Sequence, residues 1–130
     1  MSTALDRTIN GEGSKHVRPR IKCADGFALS VQASSTHYCL DADGNHPDLA
    51  FEAKVRTPYT AVEIGYPAAR PEPWRCSAWS EGYDRHNNHP VCDGWERYVE
   101  TADDPTGTVY GCVPVQMVRD LIALHGGESQ

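Results

Sequence analysis

Apolar and polar residues alternate along residues 20–33, and the dipeptide Asp25-Gly26 interrupts the alternation. A period of two is typical of β-strands, whose successive side chains point to opposite faces of a sheet. An Asp-Gly pair between two such runs favours a two-residue type I′ turn, because both central residues of that turn need a positive φ. The sequence therefore predicts a β-hairpin. The residues expected on its buried face are Ile21, Cys23, Phe27, Leu29 and Val31.

Three further segments have an extended pattern. Residues 59–66 (YTAVEIGY) form a predicted third strand, which ends at Pro67 because proline lacks a backbone N–H. Residues 96–101 alternate again, and a turn at residues 103–107 (DDPTG) separates them from residues 108–113 (TVYGCV). We expect these last two strands to form a second hairpin or meander.

The last apolar pattern recurs three or four positions apart, which is typical of a helix. It begins after Pro114, whose missing N–H is tolerated in the first helical turn, and ends before Gly126, which suits the position after a helix. The sequence predicts a helix over residues 114–125 whose apolar face lies across one side of the sheet. The residues at helical spacing are Val115, Val118, Leu121, Ile122 and His125.

Two long excursions separate these elements. Residues 34–58 are rich in turn-forming Asp, Gly, Asn and Pro, although their run 48–55 could add one helical turn or an edge strand. Residues 74–95 follow a proline-rich connector. We predict a flexible leader or a short helix over residues 1–18. One α+β domain is expected over residues 19–127, with an antiparallel sheet of four to five strands, one C-terminal helix packed on one face and the two loop excursions.

Composition narrows the class of protein. The 130 residues suit one domain, and no apolar run approaches the roughly 18 residues that a membrane helix needs. The N-terminus lacks the apolar region of a signal peptide, and five cysteines without regular spacing argue against a secreted disulfide framework. We therefore expect a soluble, cytoplasmic protein without membrane contacts.

Charge is unevenly distributed along the chain, whose net charge is −6. Residues 1–22 carry five basic and two acidic side chains, giving +3, whereas the other seven basic and sixteen acidic side chains give −9. An acidic body repels phosphate backbones and favours basic protein surfaces, so direct nucleic-acid binding is not expected. Solubility alone would also explain the acidic residues. The basic residues of the leader that could contact phosphates are Lys15, Arg18, Arg20 and Lys22.

Residues 74–95 (WRCSAWSEGYDRHNNHPVCDGW) contain all three tryptophans of the chain. Ordinary connections are small and polar, whereas interfaces draw much of their binding energy from a few Trp, Tyr and Arg side chains. We predict that this segment binds a partner protein. The predicted contact residues are Trp74, Arg75, Trp79, Tyr83 and Arg85. Trp95 begins a predicted strand and is expected in the core instead.

The same segment offers nitrogen and sulfur atoms to a metal ion. The candidate ligands are Cys76, His86, His89 and Cys92, spaced C-x9-H-x2-H-x2-C. Tetrahedral zinc takes such ligands, and His37 with Cys39 could add two donors, although the spacing matches no standard zinc finger or ribbon. The alternative is that the cysteines are buried and the histidines are solvated. No cofactor is expected, with zinc as the possible exception.

Catalytic chemistry has less support than binding. Asp84 and Asp93 lie near the histidines of the segment, and a histidine with a carboxylate could act as a general base. However, the strands and helix of an HNH nuclease are not readable around residues 86–89. The sequence therefore predicts a protein that is not an enzyme. The alternative is a small zinc-stabilised domain or a metal-dependent hydrolase that uses the Cys/His cluster.

Several stretches resemble a small family of uncharacterised proteins encoded by bacteriophages and prophages. The stretches are CADGFALSVQAS (23–34), HYC (37–39), YTAVEIGYP (59–67) and DDPTGTVYGCVPVQMVRDLIALHGG (103–127). In that family a short link joins HYC to the third strand, whereas residues 40–57 and 74–95 are both enlarged here. The resemblance implies common ancestry without specifying an activity, and an enlarged segment is where a distinct function would be added.

The resemblance, the small size, the acidic body and the missing catalytic motif lead to one functional hypothesis. The protein is expected to be a phage or prophage accessory protein in the cytoplasm of the host cell. It would bind a host protein and inhibit a bacterial defence complex of the CRISPR type, as an anti-CRISPR protein does.

Overall fold

The computed structural model describes residues 3–12, 18–34, 37–47, 56–75, 94–100 and 104–129. The strands are β1 (Ile21–Lys22), β2 (Ala28–Gln32), β3 (Ala61–Gly65) and β4 (Val109–Pro114), and the helices are α1 (Ala4–Ile9), a 3₁₀ helix (Trp95–Arg97) and α2 (Val115–Leu124). The strands form one antiparallel sheet in the order β1-β2-β3-β4. The α+β fold predicted from the sequence is thereby confirmed. No helix in the described part of the chain is long and apolar enough to cross a membrane.

The first hairpin is present where the sequence predicts it, and all five residues predicted on its inner face are buried. Its turn is not the predicted type I′. The N–H of Gly26 donates to the carbonyl of Cys23 (3.0 Å), and Gly26 has a φ of 95° whereas Asp25 has no positive φ. The carboxylate of Asp25 accepts the N–H of Phe27 (2.9 Å). This local bond favours a three-residue loop, residues 24–26, over a two-residue turn.

β3 and β4 pair around a β-bulge. Gly111 and Cys112 both lie opposite Glu63, so the register shifts by one residue. Cys112 has a φ of 52°, a left-handed value that is uncommon outside glycine. Its N–H donates to the carbonyl of Tyr38 (2.9 Å), which ties the first excursion to the sheet.

The strand predicted over residues 96–101 is wrong in its first half. Residues 95–97 form the 3₁₀ helix, and Val99 makes only an isolated bridge with Tyr110. The reason is that the carboxylate of Glu96 reaches back to the N–H of Gly94 (3.3 Å), which requires a tight turn. The run 48–55 lies outside the described residues.

Helix α2 agrees closely with its prediction. Gly126 has a φ of 92°, and its N–H donates to the carbonyl of Ala123 (3.1 Å). The N–H of Gly127 donates to the carbonyl of Ile122 (2.9 Å), which completes a Schellman end. The apolar face packs into the core of the sheet through Val118, Leu121 and Ile122.

Residues 4–9, within the predicted leader, form helix α1. Leu5 and Ile9 are buried in the same core as the sheet. The carboxylate of Glu128 accepts the N–H groups of Ala4 (2.9 Å) and Leu5 (3.1 Å). Since the first N–H groups of a helix have no partner within it, this carboxylate both completes α1 and joins the two ends of the described chain.

Candidate partner-binding site

The two ends of segment 74–95 meet at one place, which we call the segment base (residues 70–75 and 94–98). The N–H of Trp95 donates to the carbonyl of Pro73 (2.9 Å). The Trp95 side chain is completely buried and meets the ring of Tyr110 edge-on, with centroids 5.6 Å apart. Its predicted burial is confirmed, although it begins a 3₁₀ helix rather than a strand. The base is therefore anchored in the core.

Glu96 makes a second connection across the base. Its side chain is 0 % exposed, Oε1 accepts the N–H of Arg75 (3.0 Å), and Oε2 accepts the N–H of Gly94 (3.3 Å). Hydrogen bonds to a charged acceptor are stronger than neutral ones. A side chain at position 94 would collide with the carbonyl of Pro73, so glycine is required there. One carboxylate thus joins the residues that flank segment 76–93.

Trp74 lies half-buried at the surface of the base. Its ring meets Tyr110 edge-on, with centroids 6.4 Å apart, and the guanidinium of Arg70 lies 5.5 Å from its centroid. Glu72 contacts both neighbours: Oε1 lies 3.0 Å from Nη2 of Arg70, and Oε2 accepts the N–H of Trp74 (2.9 Å). The base therefore presents an indole, a carboxylate and a guanidinium at the protein surface.

The structure describes two of the five residues predicted to contact a partner. Trp74 and Arg75 lie side by side in the base, where Trp74 also packs against the core and Arg75 is exposed. Trp79, Tyr83 and Arg85 lie outside the described residues, so their contacts stay a prediction.

The four predicted zinc ligands also lie outside the described residues: Cys76, His86, His89 and Cys92. Among the residues that are described, no group of three or more His, Cys, Asp or Glu side chains could hold a metal ion. His37 and Cys39 both contact Ser34 instead, through Nδ1 to Oγ (2.7 Å) and through Sγ to the carbonyl (3.1 Å). Burial raises the pKa of the Cys39 thiol to about 11, which keeps it protonated at neutral pH.

Cys112 and His46 form a second thiol–imidazole contact. The Sγ of Cys112 lies 3.9 Å from Nδ1 of His46. Burial, followed by the charge of Glu63, raises the pKa of Cys112. Because a reactive cysteine needs a lowered pKa, this pair lacks the electrostatics of an activated nucleophile.

Of the described basic residues near the N-terminus, Arg18 is not available to a phosphate group. Arg18 is buried, its Nη1 donates to the carbonyl of Ala33 (2.9 Å), and burial lowers the pKa of its guanidinium. Arg18 therefore cannot contact a phosphate group, and the possibility raised from the sequence is wrong for this residue. Arg20 and Lys22 are exposed, and Lys15 lies outside the described residues.

Sequence analysis missed three residues of the base: Arg70, Glu72 and Glu96. Glu96 lies in an alternating run, which suggests an exposed strand position, and its bond to the N–H of Arg75 spans 21 residues. A local pattern cannot identify such a contact. Arg70 and Glu72 had a usable signal, since they alternate with prolines immediately before a tryptophan.

Comparison of the chain with protein-family models, with curated proteins and with solved structures found no match. The site is therefore interpreted from its own residues, and the resemblance to phage and prophage proteins stays a prediction.

Proposed function

We propose that this protein is a phage or prophage accessory protein that acts by binding a host protein through segment 74–95. The observation that carries the proposal is the closed base, in which the buried carboxylate of Glu96 joins Arg75 to Gly94. Interfaces gain affinity when their contact residues are positioned before the partner arrives, because less entropy is lost on binding. A base anchored in the core supplies that positioning for Trp74, whose ring packs against Tyr110.

Charge supports a basic partner. The chain from residue 23 onward has a net charge of −9 from seven basic and sixteen acidic side chains. Complementary charge accelerates association and selects among partners. CRISPR effectors hold nucleic acid in positively charged channels, so an acidic protein could compete for such a surface. A CRISPR-type defence complex is therefore the class of target that we propose.

The first experiment is a pull-down from bacterial lysate with the tagged full chain, followed by mass spectrometry and metal analysis of the eluate. We expect one host protein in stoichiometric amount, and interference with plasmids to weaken in cells that carry a CRISPR system and express the chain. Recovery of no stoichiometric partner would count against binding as the function. One zinc ion per chain without a partner would support the alternative that residues 76–92 hold a metal.

Variants then test whether the segment is the interface. Trp79→Ala or Tyr83→Ala should weaken binding of the recovered partner by about 2 kcal/mol, as residues at the centre of an interface do. Tyr38→Ala is the matched control, because Tyr38 is an aromatic residue with 56 % of its surface exposed and lies outside the segment. Unchanged affinity in both segment variants, with folding intact, would show that the partner binds elsewhere.

A further inference from the structure

Arg70 occupies a small site formed by Trp74 and Glu72. Its guanidinium lies 5.5 Å from the centroid of the Trp74 ring, and its Nη2 lies 3.0 Å from Oε1 of Glu72. An aromatic face beside a carboxylate is an arrangement that binds guanidinium groups, which stack on the ring and pair with the acid at the same time. We call Trp74 and Glu72 the guanidinium site.

Contacts other than those of Arg70 hold the guanidinium site in place. The second carboxylate oxygen of Glu72 accepts the backbone N–H of Trp74 (2.9 Å), which fixes the acid beside the ring. The indole packs edge-on against Tyr110, whose O–H donates to the carbonyl of Pro105 (2.6 Å). Removing Arg70 would therefore leave the indole and the carboxylate in position.

Arg70 itself is weakly held. Its side chain is 50 % exposed, and its ion pair with Glu72 joins two groups that are both about half exposed to solvent. Such pairs contribute little to stability, because water screens the charges and ordering long side chains costs entropy. A guanidinium from another molecule could replace Arg70 at small energetic cost.

We infer that the guanidinium site binds an arginine side chain of the partner protein, and that Arg70 occupies the site in the free protein. This inference rests on the proposed function, and it specifies the chemistry of the contact. An arginine fits better than a lysine, because a planar guanidinium stacks on an indole and presents several N–H donors to a carboxylate. The negative charge of the chain from residue 23 onward favours the same choice of partner surface.

Titration with short synthetic peptides tests the inference without the partner. An acetylated Gly-Arg-Gly amide is added to the full chain, and the indole N–H resonance of Trp74, assigned through a Trp74→Phe variant, is followed by NMR. Arg70→Ala should bind the arginine peptide about threefold more tightly than the wild type, because the internal competitor is gone. The affinity for an acetylated Gly-Lys-Gly amide should increase less than threefold between the wild type and Arg70→Ala. Equal or weaker binding of the arginine peptide by Arg70→Ala would overturn the inference.

Two further variants make the result specific. Glu72→Gln in the Arg70→Ala background should remove most of the gain in affinity for the arginine peptide, because the neutral amide cannot form an ion pair with a guanidinium. Arg70→Gln provides a second vacant site if Arg70→Ala perturbs folding, as monitored by circular dichroism. If Arg70→Ala still bound the arginine peptide more tightly when Glu72 was replaced by Gln, the proposed role of Glu72 in the guanidinium site would be wrong.

The outcome is separable from that of the pull-down. Binding of the arginine peptide with no recovered partner would retain the guanidinium site and reject the proposed function. A partner that needs segment 74–95 but binds wild type and Arg70→Ala equally, with no peptide binding, would reject the site alone.

Discussion

Nδ1 of His125 lies 2.7 Å from Oδ2 of Asp25, which joins the end of α2 to the turn of the first hairpin. The imidazole also stacks on Phe27, with ring centroids 3.9 Å apart and planes 5° from parallel. Backbone bonds reinforce the contact, since the N–H of Ala24 donates to the carbonyl of Gly127 (2.9 Å). The turn and the helix end therefore form one packed unit.

This unit predicts a loss of stability in acid. The hydrogen bond from the Phe27 N–H, and then the bond with His125, hold the pKa of Asp25 below its ordinary value of 3.8. The unfolded chain therefore binds more protons than the folded chain in the window just below 3.8, so the free energy of unfolding falls as the pH falls through that window. At neutral pH the Asp25 carboxylate is ionised and makes its full contribution to the free energy of unfolding.

Urea unfolding of the wild type and of Asp25→Asn at a series of pH values measures this contribution. Asparagine keeps an oxygen that can accept the N–H of Phe27 but carries no charge. The wild type should be more stable at neutral pH, and the difference should shrink as the pH falls below 3.8. A difference that is constant with pH would assign the effect to packing instead of charge.

We expect that replacing the Glu96 side chain alone will lower the stability of the protein substantially. Glu96→Ala removes the acceptor of the N–H groups of Arg75 and Gly94, and it leaves a cavity in the base. The N–H of Gly94 is buried and that of Arg75 is partly buried. A buried N–H that loses its partner costs about 1 to 3 kcal/mol, so the free energy of unfolding should fall by about 2 to 3 kcal/mol. Urea unfolding followed by tryptophan fluorescence measures the change.

Glu100→Ala is the matched control for Glu96→Ala, because Glu100 is exposed on the same short stretch of chain. Its free energy of unfolding should change by less than about 0.5 kcal/mol. If the two variants were equally stable, the Glu96 carboxylate would not be what closes the base.

Elements whose causes are local were predictable from the sequence. The inner face of the hairpin follows from alternation with a period of two, and α2 follows from its apolar spacing and from Gly126 at its end. The predicted type of the hairpin turn was wrong, because the sequence indicated a two-residue turn where the structure has a three-residue loop, residues 24–26. There the Asp25 side chain accepts the N–H of Phe27, which an Asp-Gly pair alone does not reveal.

Contacts between distant residues were not predictable. Glu128 lies 124 residues from Ala4 in the sequence, yet it completes the N-terminus of α1. Likewise, Glu96 accepts the N–H of Arg75, which lies 21 residues earlier in the sequence, and no local pattern indicates that contact. The aromatic content of the candidate site could be read from the sequence, whereas the closure of its base depends on these tertiary contacts.

Thiol chemistry gives an independent check of the core. Cys39 is 0 % exposed with a pKa of about 11, so about one thiol in a thousand is ionised at pH 8. Cys112 is partly exposed. Iodoacetamide should therefore alkylate Cys112 well before Cys39 in the folded protein, as measured by peptide mass spectrometry. In urea the two rates should become similar, and equal rates in the folded protein would contradict the burial of Cys39.

Two leucines on α2 test which face of the helix carries the stability. Leu121 is 1 % exposed and packs in the core, whereas Leu124 is 63 % exposed. Leu121→Ala removes buried methyl groups and leaves a cavity, so the free energy of unfolding should fall by about 3 kcal/mol. Leu124→Ala keeps good helix propensity and removes little buried surface, so its effect should stay below about 0.5 kcal/mol. Urea unfolding compares the two variants, and a comparable loss in both would mean that Leu124 is covered in solution.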